Sequence, residues 1–311
     1  AALRKTGADL AIRGEFETIL PLLADISPSA WQDIPAVSFF RNGNLRAGKP
    51  HSCRMDELPA LKWPSSVIEA HRHHHHRFHY VPAGPGAEIE ASRGCPFGCM
   101  FCAKENFRSS YRKRPALIII EEIEALLKQG VEYIYFIDEL FLPDTELLSR
   151  LVPLGLKFGI QTRIDLWNNQ TLELAGKAGC VSIEAGVESI TSEGRARLGK
   201  HSILSIDQMA ELLIFAKRHV AFVQANMIAS ERDDPKAIDK WRSDLLAQGV
   251  WANKPVPLFP YPGSPIYSSR WGEPDDQAWE RAHQYYLDTY SDFSDIQEQD
   301  PAPLRSLEDC A

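Results

Sequence analysis

The chain has 311 residues, 44% hydrophobic and 24% charged, with a formal net charge of −8, a size and balance that suit one large core and a smaller unit. The acidic balance excludes the basic footprint of a nucleic-acid binder, and no apolar run has membrane-spanning length or reads as a signal peptide. Six cysteines without regular pairing point to a reducing cytoplasm and away from a disulfide scaffold.

Residues 1–24 predict a short strand, Leu10 to Ile12, and a Gly14-Glu15-Phe16-Glu17 turn. An amphipathic helix then carries Ile19, Leu22 and Leu23 on one face. One strand and one helix bury no core alone, so the strand needs a sheet to join. The alternative is a lead-in helix packed on the next domain. Residues 25–87 are proline-rich and read as a linker. Within it, Asn42-Gly43 suits a type I′ turn and predicts a hairpin over 37–46. The His71–His79 run reads as a solvated histidine-rich loop, because consecutive histidines cannot all face one ion.

From residue 88 onward, short apolar runs alternate with helical stripes, the pattern of βα units around a parallel sheet. Strands are expected at 88–92, 132–138, 157–162, 180–185, 221–228 and 250–259, with helices near 121–129, 144–152, 169–178, 205–218 and 234–248. Six units predict an α/β fold, a partial TIM-like (β/α)6 barrel over 88–267, since a full eight-stranded barrel takes roughly 250 residues. Residues 268–311 read as a helical extension with Trp279, Ala282, Tyr286 and Tyr290 on one face, then an acidic end.

The chemistry concentrates in Cys95-Pro-Phe-Gly-Cys99-Met-Phe101-Cys102. Thiolates ligate iron–sulfur clusters, and a cubane takes four ligands, so three grouped cysteines leave one iron open. Gly94, Pro96 and Gly98 favour a tight loop over a helix. A structural zinc site usually recruits four ligands in CxxC pairs, and the chain has no second CxxC. A non-catalytic zinc protein is the contrasting reading. In parallel α/β folds ligands sit at the carboxyl ends of strands. Asp138, Glu139, Arg163, Glu184, Gly186, Glu188, Ser189, Gln224 and Asn226 fall at or near those ends. The plain alternative for Asp138 and Glu139 is capping a helix, and for Gln224 and Asn226 satisfying a neighbouring backbone.

CxxxCxxC with Phe101 before the third cysteine resembles the signature of the radical S-adenosylmethionine (SAM) superfamily. The resemblance implies a [4Fe-4S] cluster on Cys95, Cys99 and Cys102, whose open iron is chelated by SAM. One electron passed to the sulfonium then yields a deoxyadenosyl radical. It also implies SAM contacts from Asp138 or Glu139, from Arg163 to a carboxylate, and from Glu188 and Ser189 of a GxES-like segment whose Gly186 permits close approach. Glu184 would face SAM or substrate, and Asn226 adenosine. Residues 1–24 resemble the last strand and helix of the cobalamin-binding Rossmann-like domain that precedes many radical SAM domains, so an N-terminally truncated protein is expected. That domain's DxHxxG segment is absent from these residues. The implied activity is cobalamin-dependent methyl transfer to unactivated carbon in a small molecule. Rearrangement, cyclisation or oxidation is the alternative. The reductant would be a flavodoxin or ferredoxin.

Overall fold

The computed structural model describes residues 2–70, 85–104 and 108–289. The His71–His79 run, Tyr290 and Cys310 lie outside the described residues.

The N-terminal elements are α1 (Ala2–Thr6), β1 (Leu10–Ile12) and α2 (Ile19–Asp25). Next come β2 (Val37–Arg41) and β3 (Asn44–Arg46), joined through Asn42 and Gly43 at φ 51° and 77°, as a type I′ turn requires. β1 pairs antiparallel with β2, Leu10 opposite Phe39, to make a three-stranded sheet in the order β1-β2-β3. Ile19, Leu23, Ala36 and Val37 form the core beneath it. The short strand therefore takes its sheet partner from the segment read as linker, and the two pack as one unit.

After α3 (Ser65–Ala70), β4 (Gly86–Ile89) opens the main sheet. β5 (Ser92–Arg93) and β6 (Arg112–Lys113) form a small antiparallel ladder. The βα series follows as α4 (Ala116–Leu127), β7 (Tyr133–Phe136), α5 (Thr145–Leu151), β8 (Lys157–Thr162), α6 (Asn169–Lys177) and β9 (Cys180–Glu188). It continues with α7 (Ser192–Arg197), α8 (Ile206–Lys217), β10 (Phe222–Met227), α9 (Pro235–Ala247) and β11 (Trp251–Ala252). α10 (Pro265–Trp271) and α11 (Ala278–Thr289) close the described chain. The six-stranded sheet runs β11-β10-β9-β8-β7-β4, every pair parallel, so the expected six-stranded partial barrel is what forms.

The outer face of the sheet is apolar and packs under the helices. Ile134, Phe158, Ile183 and Val223 meet Ile123, Leu148, Leu172 and Leu213 in one core, and each such apolar side chain contributes about 1.5–3 kcal/mol by burial. The inner face is polar, with Gln161, Glu184 and Gln224 in register across β8, β9 and β10. α4 starts at Ala116, earlier than expected, because Pro115 ends the preceding extended segment and Ile119, Ile123 and Leu126 already hold helical spacing. β11 shrinks to two residues. Pro255 and Pro257 lack ladder donors, and only a bridge from Ile228 to Val256 continues the pairing. β9 runs on to Glu188, which carries its polar end further than the apolar run suggested.

Candidate functional site

The cysteine loop springs from β5, and the ladder with β6 holds it at its base. Gly94 sits at φ 82°, where a Cβ would collide with the Ser110 carbonyl. Its N–H donates to Glu139 Oε2 at 2.8 Å, and the Cys95 N–H donates to the Arg108 carbonyl at 3.0 Å. Further along, the Met100 N–H donates to Leu198 O and the Ile266 N–H to Met100 O, each at 2.9 Å. These bonds pin the loop between the turn after α7 and the start of α10.

Cys95, Cys99 and Cys102 are half-buried free thiols. Burial pushes the Cys95 and Cys99 thiols up, while Lys104 and Arg163 pull Cys95 back and Lys200 and Arg163 pull Cys99 back. Cys102 acts on Cys95, and Cys95 on Cys99, so the three are within electrostatic reach of one another. Among the described residues, no three His, Cys, Asp or Glu side chains converge to hold one metal ion. A cubane places each thiolate on a different iron, so its ligands surround a polyatomic group and need not meet at a point. Three half-buried thiols with Lys104, Arg163 and Lys200 in reach, on a glycine-flanked loop, are a donor set that fits it.

Asp138, 3% exposed, accepts the Ala91 N–H at 2.8 Å and the Ser92 hydroxyl. Burial pushes its carboxyl up to about 7 against those two bonds, with Glu90 and Glu139 adding to the rise. Glu139 pairs with Arg108 as well as with Gly94. The two carboxylates thus brace the strand and loop that carry the cysteines. Neither caps the next helix, whose N-cap is Asp144.

Arg163 is a fork already engaged. Its Nε and Nη2 bond Asp165 at 3.1 and 2.7 Å, Nη2 also reaches His201 O at 2.7 Å, and the guanidinium lies 4.0 Å from the Phe97 ring centroid. Its Nη1 is buried without a hydrogen-bond partner. The residue therefore packs on the cysteine loop through Phe97 and leaves its Nη1 hydrogens unpaired.

Glu188 ends β9 at φ 70°, and the Ser189 N–H donates to Val187 O at 3.0 Å across it. That is a three-residue γ-turn with positive φ at its centre, a strained form. The Glu188 carboxylate accepts from Lys200 Nζ at 2.6 Å, both side chains buried. A Cβ on Gly186 would strike that carboxylate and ammonium, so the glycine makes room for the pair. Gly199, at φ 66°, packs on Gly98 and Cys99, which sets Lys200 against the cysteine loop.

Ser189 turns elsewhere. Its hydroxyl donates to Asp233 at 2.8 Å, and the same carboxylate accepts from Ile190 N–H, Thr191 N–H and the Thr191 hydroxyl. Glu184 is half-buried on the inner face, Asn226 lies opposite Gly186 and accepts from Gln224, and Phe101 is half-buried between two of the cysteines. Lys200, Asp233 and Phe97 were not anticipated from sequence. After the cysteines, four basic residues are paired, Arg108 with Glu139, Arg112 with Glu15, Lys113 with Asp144 and Arg114 with Glu122.

Residues 89–228, from the first barrel strand to the end of the fifth, match the radical SAM superfamily profile. That segment is a radical SAM superfamily domain. It is 34% identical over 283 residues to an anaerobic magnesium-protoporphyrin IX monomethyl ester cyclase of Cereibacter sphaeroides, covering 81% of this chain and 44% of the relative. It is 26% identical over 211 residues to a bacteriochlorophyllide d C-12(1)-methyltransferase of Chlorobaculum tepidum, covering 64% of this chain and 45% of the relative. The chain thus spans less than half the length of these curated relatives. The radical SAM methyltransferase TsrM of Kitasatospora setae, solved with cobalamin and a [4Fe-4S] cluster, superposes with a TM-score of 0.67 at 16% identity. That match covers 85% of this chain and 55% of TsrM, and shows a shared fold.

Proposed function

We propose that this chain is the catalytic part of a radical SAM enzyme that transfers a methyl group to an unactivated carbon of a small molecule. The observation that carries the reading is the cysteine loop, fixed by Met100 to Leu198 and Ile266, facing the buried Glu188–Lys200 pair. Cys95, Cys99 and Cys102 would hold a [4Fe-4S] cluster, which when bound supplies an electron to the sulfonium of SAM and so generates a deoxyadenosyl radical. Lys200 and Glu188 offer one partner to each charged end of SAM's amino-acid moiety. Arg163 Nη1 offers a further donor, and the inner-face row of Gln161, Glu184 and Gln224, with Asn226 one step above, would hydrogen-bond adenosine or substrate.

Cobalamin enters this proposal through the likeness to TsrM, a cobalamin-bound methyltransferase. With no DxHxxG segment in the chain, no residue here is assigned to cobalt. Residues 1–24 are proposed as the end of a preceding cobalamin-binding domain whose strand pairs onto the hairpin of the 25–87 connector, and 268–311 as a C-terminal extension. A flavodoxin or ferredoxin would deliver the electron, in a reducing cytoplasm. No helix among the described residues is long and apolar enough to cross a membrane.

The cyclase relative, 34% identical over most of this chain, supports a second reading in which the radical closes a ring without methyl transfer. Products separate the two. After anaerobic reconstitution with SAM and cobalamin, mass spectrometry showing a methylated substrate with S-adenosylhomocysteine supports methyl transfer. Deoxyadenosine with an unmethylated product supports the second reading.

A further inference from the structure

Glu15 and Glu17 stand far from the cysteine loop in sequence but are wired to it by charge. The β5–β6 ladder puts Arg93 directly opposite Arg112. Two guanidiniums side by side repel, and these side chains are only 9% and 21% exposed. Their counter-charges come from the turn between β1 and α2. Glu15, 2% exposed, accepts from both terminal nitrogens of Arg112 and lies 3.5 Å from Arg93 Nη1. Glu17 pairs with Arg93 Nη2.

The wiring continues into the loop. Arg93 Nε donates to Glu90 at 2.7 Å, Glu90 lies 3.5 Å from Arg108, Arg108 pairs with Glu139, and Glu139 holds the Gly94 N–H at 2.8 Å. Carboxylate and guanidinium alternate along the whole path. Arg93 Nη1 and Arg112 Nε are buried without hydrogen-bond partners, so acceptors are not in excess. The turn is itself rigid. Gly14, at φ 91°, leaves no room for a Cβ against the His51 carbonyl, and the Glu15 N–H donates to that carbonyl at 2.9 Å.

We propose that Glu15 and Glu17 are positioning residues for the metal-binding loop: through Arg93 and Arg112 they fix the base from which Cys95, Cys99 and Cys102 project. This rests on the reading of that loop as the cluster site. Each glutamate acts through an arginine.

Glu17, with a side chain 25% exposed, is the gentler one to alter. The test compares the 311-residue wild type with Glu17→Gln, Glu17→Asp, Arg93→Gln and the Glu17→Gln/Arg93→Gln double variant, each reconstituted anaerobically. Hydrogen exchange of residues 92–104 and the electron paramagnetic resonance spectrum with and without SAM are read beside iron content. Glu17→Gln is expected to retain iron but to exchange roughly tenfold faster in the loop, the loss of one charge-assisted bond expressed as local opening. Its spectrum is expected to broaden, Glu17→Asp to recover most of the protection, and the double variant to be no worse than Arg93→Gln. Faster exchange confined to residues 10–25 with an unaltered spectrum would overturn the proposal. A wild type that takes up no iron would instead remove the cluster reading itself, before any variant is compared.

Discussion

Lys200 places its charge inside the protein beside the cysteine loop, and Glu188 is its ion-pair partner at 2.6 Å. Lys200→Met strands a buried carboxylate and is expected to lower stability by about 3 kcal/mol, while adding Glu188→Gln recovers much of that loss. SAM cleavage is expected to stay lost in the double variant, which denaturant melts and a deoxyadenosine assay would check together. A double variant that cleaves SAM at the wild-type rate would reduce the pair to a structural role. Asp138 offers a pH test. Its folded value, about 7, lies above its ordinary 3.8, so the native state keeps a proton that the unfolded chain has shed. The sign is therefore a stability that falls as pH rises from near 4 to near 7, by roughly 4 kcal/mol across the window. Asp138→Asn removes that slope, and apoprotein melts giving parallel pH curves for wild type and variant would contradict it. Of these residues, Glu188 was legible because it sits in a GxES-like strand end. Lys200 was not, since nothing local separates a buried lysine from a solvated one when its partner lies on another element. Ser189 was read as a SAM contact, yet its hydroxyl is spent on Asp233, 44 positions away.

Among the elements, the cysteine loop was the most legible, because its three thiols fall within one short segment and the glycines that shape it are adjacent. Gly94→Ala tests the shape separately from the ligands. A Cβ at φ 82° meets the Ser110 carbonyl, so the substitution is expected to cost at least about 2 kcal/mol and to lower bound iron. Cys99→Ala, by contrast, removes a proposed cluster ligand from a half-buried site and is expected to leave a soluble fold without deoxyadenosine formation. Equal stability and iron content in Gly94→Ala and wild type would show that the loop does not depend on that turn. The strands and helices of the sheet were read from periodicity, and where they missed, a local cause is visible. Pro115 starts α4 early, Pro255 and Pro257 cut β11 short, and α7 hid because its six residues show too few turns for a stripe. Ser205 and Gln208 close a reciprocal capping box at the start of α8, a start signal carried by two residues three apart.

For the molecule as a whole, the barrel followed from the sequence and the packing of its N-terminal unit did not. Pairing β1 with β2 and seating Glu15 and Glu17 on Arg93 and Arg112 are contacts between residues tens of positions apart, for which no periodicity speaks. The effect is that the cysteine loop is held from the strand ends, from α7 and α10, and from the N-terminal turn. Everything proposed about chemistry depends on what those three thiols hold. The direct measurement is electron paramagnetic resonance of the anaerobically reconstituted, reduced protein, with iron and sulfide counted and SAM then added. The account predicts about four iron and four sulfide per chain, three protein thiolates being one short of a cubane's complement, and a cluster signal that changes shape on SAM addition as deoxyadenosine forms. A protein that binds zinc in place of iron, or whose cluster signal ignores SAM, would contradict it.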